Sequence, residues 1–247
     1  MDDYTAATYG ERIADVYDGF YAHKTLDSGP TVDFLAELAG PGPALELGVG
    51  TGRIALPLAE RGVEVQGIDA SEAMVARLRA KPGGDEVRVT IGSFADFALE
   101  DRFPLVFVVF NTFFALTSPE EQGRCFRAVA RHLTPGGAFV IEAFVPDLSR
   151  FDRGQRVQAT EIGLDEVRLD VSLHDAEAQV VESQHMVIRE DGVRLIPIRA
   201  RYAWPSELDL MAELAGLRFR ERWGGWGREP FAGSSQNHIS VWESPAG

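Results

Sequence analysis

The chain has 247 residues, 45% of them hydrophobic, enough for one sizeable core but short for two full domains. Its formal net charge is −14, from 24 Lys and Arg against 38 Asp and Glu, which argues against nucleic acid or an anionic membrane as partner, since both call for clustered cations. A single cysteine, Cys125, excludes an intrachain disulfide and a cysteine-based metal site, and the longest apolar run, Pro104 to Phe110, falls far below the roughly 20 residues that span a bilayer.

In chain order, Tyr4 to Leu26 sets Tyr9, Ile13, Val16, Tyr17, Phe20 and Tyr21 at helical spacings, an aromatic stripe on a helix that could close over a ligand. No charged segment backed by an apolar one opens the chain, so a cytoplasmic setting is expected. A second helix, Thr31 to Ala39, leads through Gly40-Pro41-Gly42-Pro43 into a first strand at 43–48. Strands and helices then alternate as a parallel sheet requires: helix 53–61, strand 63–68, helix 71–80, strands 86–91 and 104–110, helix 119–133 and strand 138–144. Cys125 falls on the last of these helices beside Phe126, Val129 and Ala130, where a buried small hydrophobe is expected.

From about residue 164 the pattern changes to period two, with Val167, Leu169, Val171 and Leu173 against Arg168, Asp170, Ser172 and His174, the signature of antiparallel strands. A second run, Val180 to Arg189, turns through Glu190-Asp191-Gly192 into a third, in which Ile196, Ile198, Ala200, Tyr202 and Trp204 share a face. Pro205 opens a helix to about Ala215, and the strands Leu217 to Trp223 and His238 to Trp242 should return to the main sheet as a hairpin. The expected division is a lid helix over 1–29, a cofactor-binding core over 30–163, an antiparallel insertion over 164–204, and a helix and hairpin over 205–247.

The chemistry concentrates in Glu46-Leu47-Gly48-Val49-Gly50-Thr51-Gly52, where three alternating glycines join a strand to a helix and let a ligand touch bare backbone. Asp69 closes the next apolar run, where a carboxylate can accept both hydroxyls of a ribose. The spacing is G-x-G-x-G and not the dinucleotide G-x-G-x-x-G, and Glu46 suits an ammonium better than a phosphate. At these residues the chain resembles the class I S-adenosylmethionine-dependent methyltransferases, whose first motif has the form acid-x-G-x-G-x-G. Leu133-Thr134-Pro135-Gly136-Gly137, followed by the strand Ala138 to Glu142, is similar to a later helix, turn and strand segment of the same family.

The resemblance implies a Rossmann-like α/β fold, a seven-stranded sheet with helices on both faces. It also implies S-adenosylmethionine as cofactor and methyl transfer to N or O of a small metabolite. Insertions of this kind in small-molecule members, amino-sugar methyltransferases among them, cover the substrate or form a homodimer contact. Cofactor contacts are then expected from Glu46, Gly48, Gly50, Gly52, Asp69, Ala70 and Met74. Ser93 stands where the family usually places an acid for the adenine amine, with Phe94 packing on the purine and Asn111 at the crevice. Tyr17 and Lys24 are candidates from the first helix, Lys24 for the cofactor's carboxylate. Candidate proton acceptors are Tyr21, Glu142 and His185, with His238 also considered. Trp223 and Trp226 are candidates for an aromatic wall. The five histidines lack ligand-type spacing, so no metal is expected. A nicotinamide-dependent oxidoreductase and a non-catalytic ligand-binding protein of the same fold are the alternative readings.

Overall fold

The computed structural model describes residues 1, 3–22 and 28–246. At its centre is a seven-stranded sheet. Five strands, β1 (Ala44–Leu47), β2 (Val65–Asp69), β3 (Arg88–Ile91), β4 (Phe103–Val108) and β5 (Leu133–Phe144), are parallel where they neighbour one another. A carboxy-terminal hairpin, with its two strands Arg218–Trp223 and Asn237–Glu243, adds to the outer edge of β5 in antiparallel fashion. Written from that hairpin inward, the order runs to β5, β4, β1, β2 and β3, so the chain direction across the sheet reverses between β1 and β4. Open α/β sheets bind ligands at the carboxyl ends of the strands flanking such a reversal.

The strands of the sheet centre are apolar on both faces because helices cover both. Along β1 and β4, Leu45, Leu47, Val106 and Val108 join a core with Phe126 and Val129 of α6 (Pro119–His132) and Leu208 and Ala212 of α7 (Pro205–Leu214). The alternating residues Ala44, Leu105 and Phe107 join the opposite core with Phe34 and Leu35 of α3 (Gly29–Ala39) and Leu58 of α4 (Ala55–Glu60). Phe126, Phe139 and Trp242 meet edge to face inside the first core, at centroid distances of 5.2 and 5.5 Å from Phe126. Such pairs add about 0.5–1.5 kcal/mol beyond burial. The remaining helix of the main body is α5 (Glu72–Arg79), capped at its start by the Ser71 hydroxyl. Among the described residues no helix is long and apolar enough to cross a membrane.

Three boundaries differ from the sequence reading. The single amino-terminal helix is two short ones, α1 (Thr8–Ile13) and α2 (Tyr17–Ala22), because Ile13 is driven to full burial and the chain bends after it. The segment Leu133 to Gly137, read as a turn, already pairs as the start of β5, held by Gly136 N–H to Ser244 O and Ser244 N–H to Gly137 O. The antiparallel insertion starts at 155 and not 164. Its strands are β6 (Gln155–Ile162), β7 (Glu166–Asp175), β8 (Val180–Arg189) and β9 (Gly192–Arg201), in that spatial order. β6 is an edge strand, mostly exposed on both faces, so it never acquired the alternation that marks a half-buried strand.

Candidate active site

A cavity of about 440 Å³ lies between the carboxyl ends of the central strands, the amino-terminal helices and one face of the insertion. The loop after β1 forms its floor. Gly48 and Gly50 hold φ of 74° and 56°, and a Cβ on Gly48 would stand 2.4 Å from Thr112 Cγ2. On Gly50 the nearest atom to such a Cβ is Met74 Cε at 3.4 Å, so its bare backbone faces the cavity. Gly52 serves packing instead, since its α-carbon rests on Leu56 and Leu78 and brings helix and sheet together below the cavity.

Asp69, ending β2, organises this floor. Its Oδ2 accepts the Gly50 N–H at 2.7 Å and its Oδ1 the Ser71 N–H at 2.9 Å. Burial raises its pKa, and the backbone N–H groups around it oppose that rise. With about four acceptor sites, the carboxylate keeps room for a further donor beside the Gly50, Ser71 and Ala70 N–H groups, and it lines the cavity. Ala70, Met74, Ser93 and Phe94 line the same end, with Met74 and Phe94 almost fully buried as an apolar slot. Phe110 and Asn111, after β4, both have positive φ, 59° and 64°. For side-chain-bearing residues this is a strained path, maintained by Asn111 Oδ1 accepting Phe144 N–H at 2.7 Å and Glu142 Oε2 accepting Phe110 N–H at 2.8 Å.

The amino-terminal segment roofs the cavity through Tyr4, ahead of the helices, Tyr9 on α1 and Tyr17 on α2. The helices are tied to the floor: Thr51 Oγ1 donates to Asp18 at 2.7 Å, and Lys81 Nζ reaches both Asp18, at 2.8 Å, and the Thr51 carbonyl, at 2.8 Å. Glu11 accepts from Ser71 Oγ and the Ala73 N–H, sealing α1 onto the start of α5.

The inner face of the insertion supplies the remaining wall. Antiparallel register puts Arg156, Ser172 and Ser183 in one row and Gln158, Asp170 and His185 in the next. Ser172 and Ser183 share a hydrogen bond at 2.8 Å, and His185 Nδ1 is bonded to Asp170 Oδ1. An ionised carboxylate only accepts, so in the neutral ring this bond puts the proton on Nδ1 and leaves Nε2 as an acceptor. Arg150 also reaches the cavity, its guanidinium over the rings of Phe144 and Phe151 at 5.8 and 5.1 Å.

Of the residues expected at the site, Tyr17, Gly48, Gly50, Asp69, Ala70, Met74, Ser93, Phe94, Asn111 and His185 are thus brought together. Lys24 and the side chain of Tyr21 lie outside the described residues. Glu46 does not line the cavity. The strand alternation turns it into the core beneath, where it accepts from the Ala55 N–H, its Oε2 is unpartnered, and burial pushes its pKa up to about 8 against the pull of Arg53. Glu142 is also turned away, with Oε2 on Phe110 N–H and Oε1 accepting Trp226 Nε1–H at 3.1 Å; it braces the strained strand end. Trp226 packs edge to face on Phe34 and Trp223 belongs to the same hidden cluster, so neither is a cavity wall. His238 is fully buried, bonded to Ser240, its pKa pushed down to about 3 by burial and by Arg222. Cys125 is buried and its thiol pushed up by burial.

Arg150, Arg156, Asp170, Ser172, Ser183 and Phe110 were not foreseen. Only the alternation in β7 hinted at them, by assigning Asp170 and Ser172 a common face.

Residues 44–137 match the family model described as a methyltransferase domain. The chain is 30% identical over 200 residues to the cypemycin N-terminal methyltransferase of a Streptomyces species, covering 81% of this chain and 82% of that one. The solved CcbJ methyltransferase from Streptomyces caelestis is 43% identical, over 98% of this chain and all of the other, with a TM-score of 0.93. An amino pentose methyltransferase from Micromonospora echinaspora, solved with S-adenosylmethionine bound, shares the fold at 22% identity, over 92% and 96% of the two chains, with a TM-score of 0.69. The residues present fit that cofactor: the glycines leave room for it, the Asp69 carboxylate has lone pairs to spare, and Met74 with Phe94 forms an apolar slot.

Proposed function

This chain belongs to the class I S-adenosylmethionine-dependent methyltransferases, and we propose that the acceptor of its methyl group is an amine nitrogen of a small, natural-product-like molecule. Membership sets aside the oxidoreductase and the non-catalytic alternatives. The observation that carries the finer reading is the His185–Asp170 pair on the insertion wall of the cavity that also holds Gly50 and Asp69.

S-adenosylmethionine supplies a methyl carbon made electrophilic by its sulfonium. The chain's own part is to bind, orient and hold a proton. Gly48, Gly50, Asp69, Ser93 and Phe94 hold the cofactor end. Tyr4, Tyr9 and Tyr17 close the roof and keep water from the reacting atoms, so that proximity and desolvation contribute much of the rate. An amine reaches a protein mostly as ammonium, with no electron pair to give. His185 Nε2 is the acceptor that takes its proton, and Asp170 holds the ring in the matching tautomer and stabilises the imidazolium. The neighbouring Ser172 and Ser183 hydroxyls suit a hydroxylated acceptor. The similarity to a methyltransferase of the cypemycin amino terminus supports nitrogen over oxygen.

The test is release of S-adenosylhomocysteine across panels of small amines, phenols, short peptides, RNA and folded proteins at low salt. Small amines should be turned over. Turnover of phenols alone would replace nitrogen by oxygen, and turnover of RNA or folded protein alone would refute a small acceptor.

A further inference from the structure

Arginines of the insertion have carboxylate partners almost without exception. Arg168 pairs with Glu161 and Glu166, Arg189 with Glu166, Arg194 with Asp15, Arg199 with Glu182 and Arg201 with Glu207. In a protein of net charge −14 such pairing is easily arranged. Three arginines line the cavity; Arg199 has Glu182, whereas Arg150 and Arg156 have no carboxylate within ion-pair distance among the described residues. The nearby acids are otherwise engaged: Asp170 on His185, and Asp147 on the N–H and hydroxyl of Ser149. The two guanidiniums are close enough for the charge of Arg156 to disfavour that of Arg150, whose pKa is lowered by burial first and by this repulsion second. Two guanidiniums held together at the wall of a cavity, neither in an ion pair and with only the more distant charges of Asp147 and Asp170 opposing their repulsion, form a receptor for an anion.

We propose that Arg150 and Arg156 bind an oxyanion carried by the methyl acceptor, a carboxylate or a phosphate monoester. The proposal rests on the reading of the insertion side as the acceptor's place. The sheet supports that placement. The cofactor floor stands at the ends of β1 and β2, whereas Arg150 covers Phe144 at the end of β5, beyond β4. Two strand spacings amount to about 10 Å. Arg156 stands in the same row as Ser172 and Ser183 and diagonal to Asp170, so an acceptor anchored there by its anion presents the rest of its length along the hydroxyls toward His185. Contact with the rings of Phe144 and Phe151 holds the Arg150 guanidinium at the cavity wall, where its N–H groups can meet two oxygens of one group.

The experiment is calorimetric titration of the protein, saturated with S-adenosylhomocysteine, with N-acetylglycine, with its uncharged methyl ester and with inorganic phosphate. Saturable binding of at least one anion and not of the ester is expected, and the tighter anion identifies the group the acceptor carries. Arg150→Gln and Arg156→Gln should each weaken it about tenfold or more, Arg156→Lys less, while affinity for S-adenosylhomocysteine stays within about twofold in every variant. Absence of saturable anion binding to the parent, or equal binding to the double glutamine variant, would overturn the proposal. So would a large loss of S-adenosylhomocysteine affinity in the variants, which would assign the arginines to the cofactor's own carboxylate. The titration needs no turnover, so failure of small amines in the acceptor panel would count against the nitrogen reading alone.

Discussion

The two walls of the cavity are built on different principles. The cofactor wall consists of bare backbone, one carboxylate and a few side chains at the ends of neighbouring parallel strands, and its groups come from the short stretches 48–50, 69–74 and 93–94. The insertion wall consists of side chains from strands spanning 156 to 200, aligned only by antiparallel register. On the proposed reading, the first recognises what is constant in the reaction and the second meets what differs between acceptors. A wall of backbone tolerates little change at its glycines, and a wall of side chains can be altered one residue at a time.

The largest effect should come from breaking the first wall. Gly48→Val places a branched side chain on a backbone at φ 74° and 2.4 Å from Thr112, so binding of S-adenosylhomocysteine should fall by more than about 100-fold by calorimetry. An unchanged circular dichroism spectrum would attribute the loss to the site, and wild-type affinity would show that the loop does not hold the cofactor. On the opposite wall, His185→Ala should reduce kcat by about 100-fold or more and leave cofactor affinity intact. A reduction below about tenfold would leave positioning as the main source of rate.

Asp69→Ala sharpens the contrast, because one side chain there does the work of a whole segment. It should cost about 1.5–3 kcal/mol of cofactor affinity, part of it through release of the Gly50 N–H that Asp69 now fixes at 2.7 Å. Equal affinities for variant and parent would remove Asp69 from the ribose.

The effect most remote from the reacting atoms lies beneath the wall. Glu46 ionises near 4.5 when unfolded and keeps its proton to about 8 in the fold. Between those values the native state binds the extra proton, so the stability of the cofactor-free protein should fall as pH rises from about 4.5 to 8 and then level off. Glu46→Gln keeps the shape and removes the titration, so its Tm should vary less across that window. A parent contribution that rises with pH, seen as a steeper fall in the variant, would contradict a buried protonated Glu46.

How far the sequence could be read follows the same division. The glycine loop, Asp69, Ser93, Phe94 and Asn111 were legible because each belongs to a strand end whose position follows from local pattern, and open α/β sheets gather ligands there. Glu46 and Glu142 were placed in the right neighbourhood and given the wrong direction. Each stands on a strand buried on both faces, where apolar neighbours do not reveal which side a residue takes. His238 and Trp223 failed for a related reason, since a polar ring in a strand looks the same whether it faces a ligand or the core, and Trp226, on the turn that follows, gave no periodicity to read.

By itself, then, the sequence determined the alternation of strands and helices, the family, the cofactor and half of the cavity wall, all of them consequences of residues within a few positions of one another. Only the tertiary structure decided that Arg150, Arg156, Asp170 and His185 share one surface. Their association depends on strand register, which is fixed by packing a whole sheet face against the core, and a shift of one residue would have turned every one of the strand-borne groups outward.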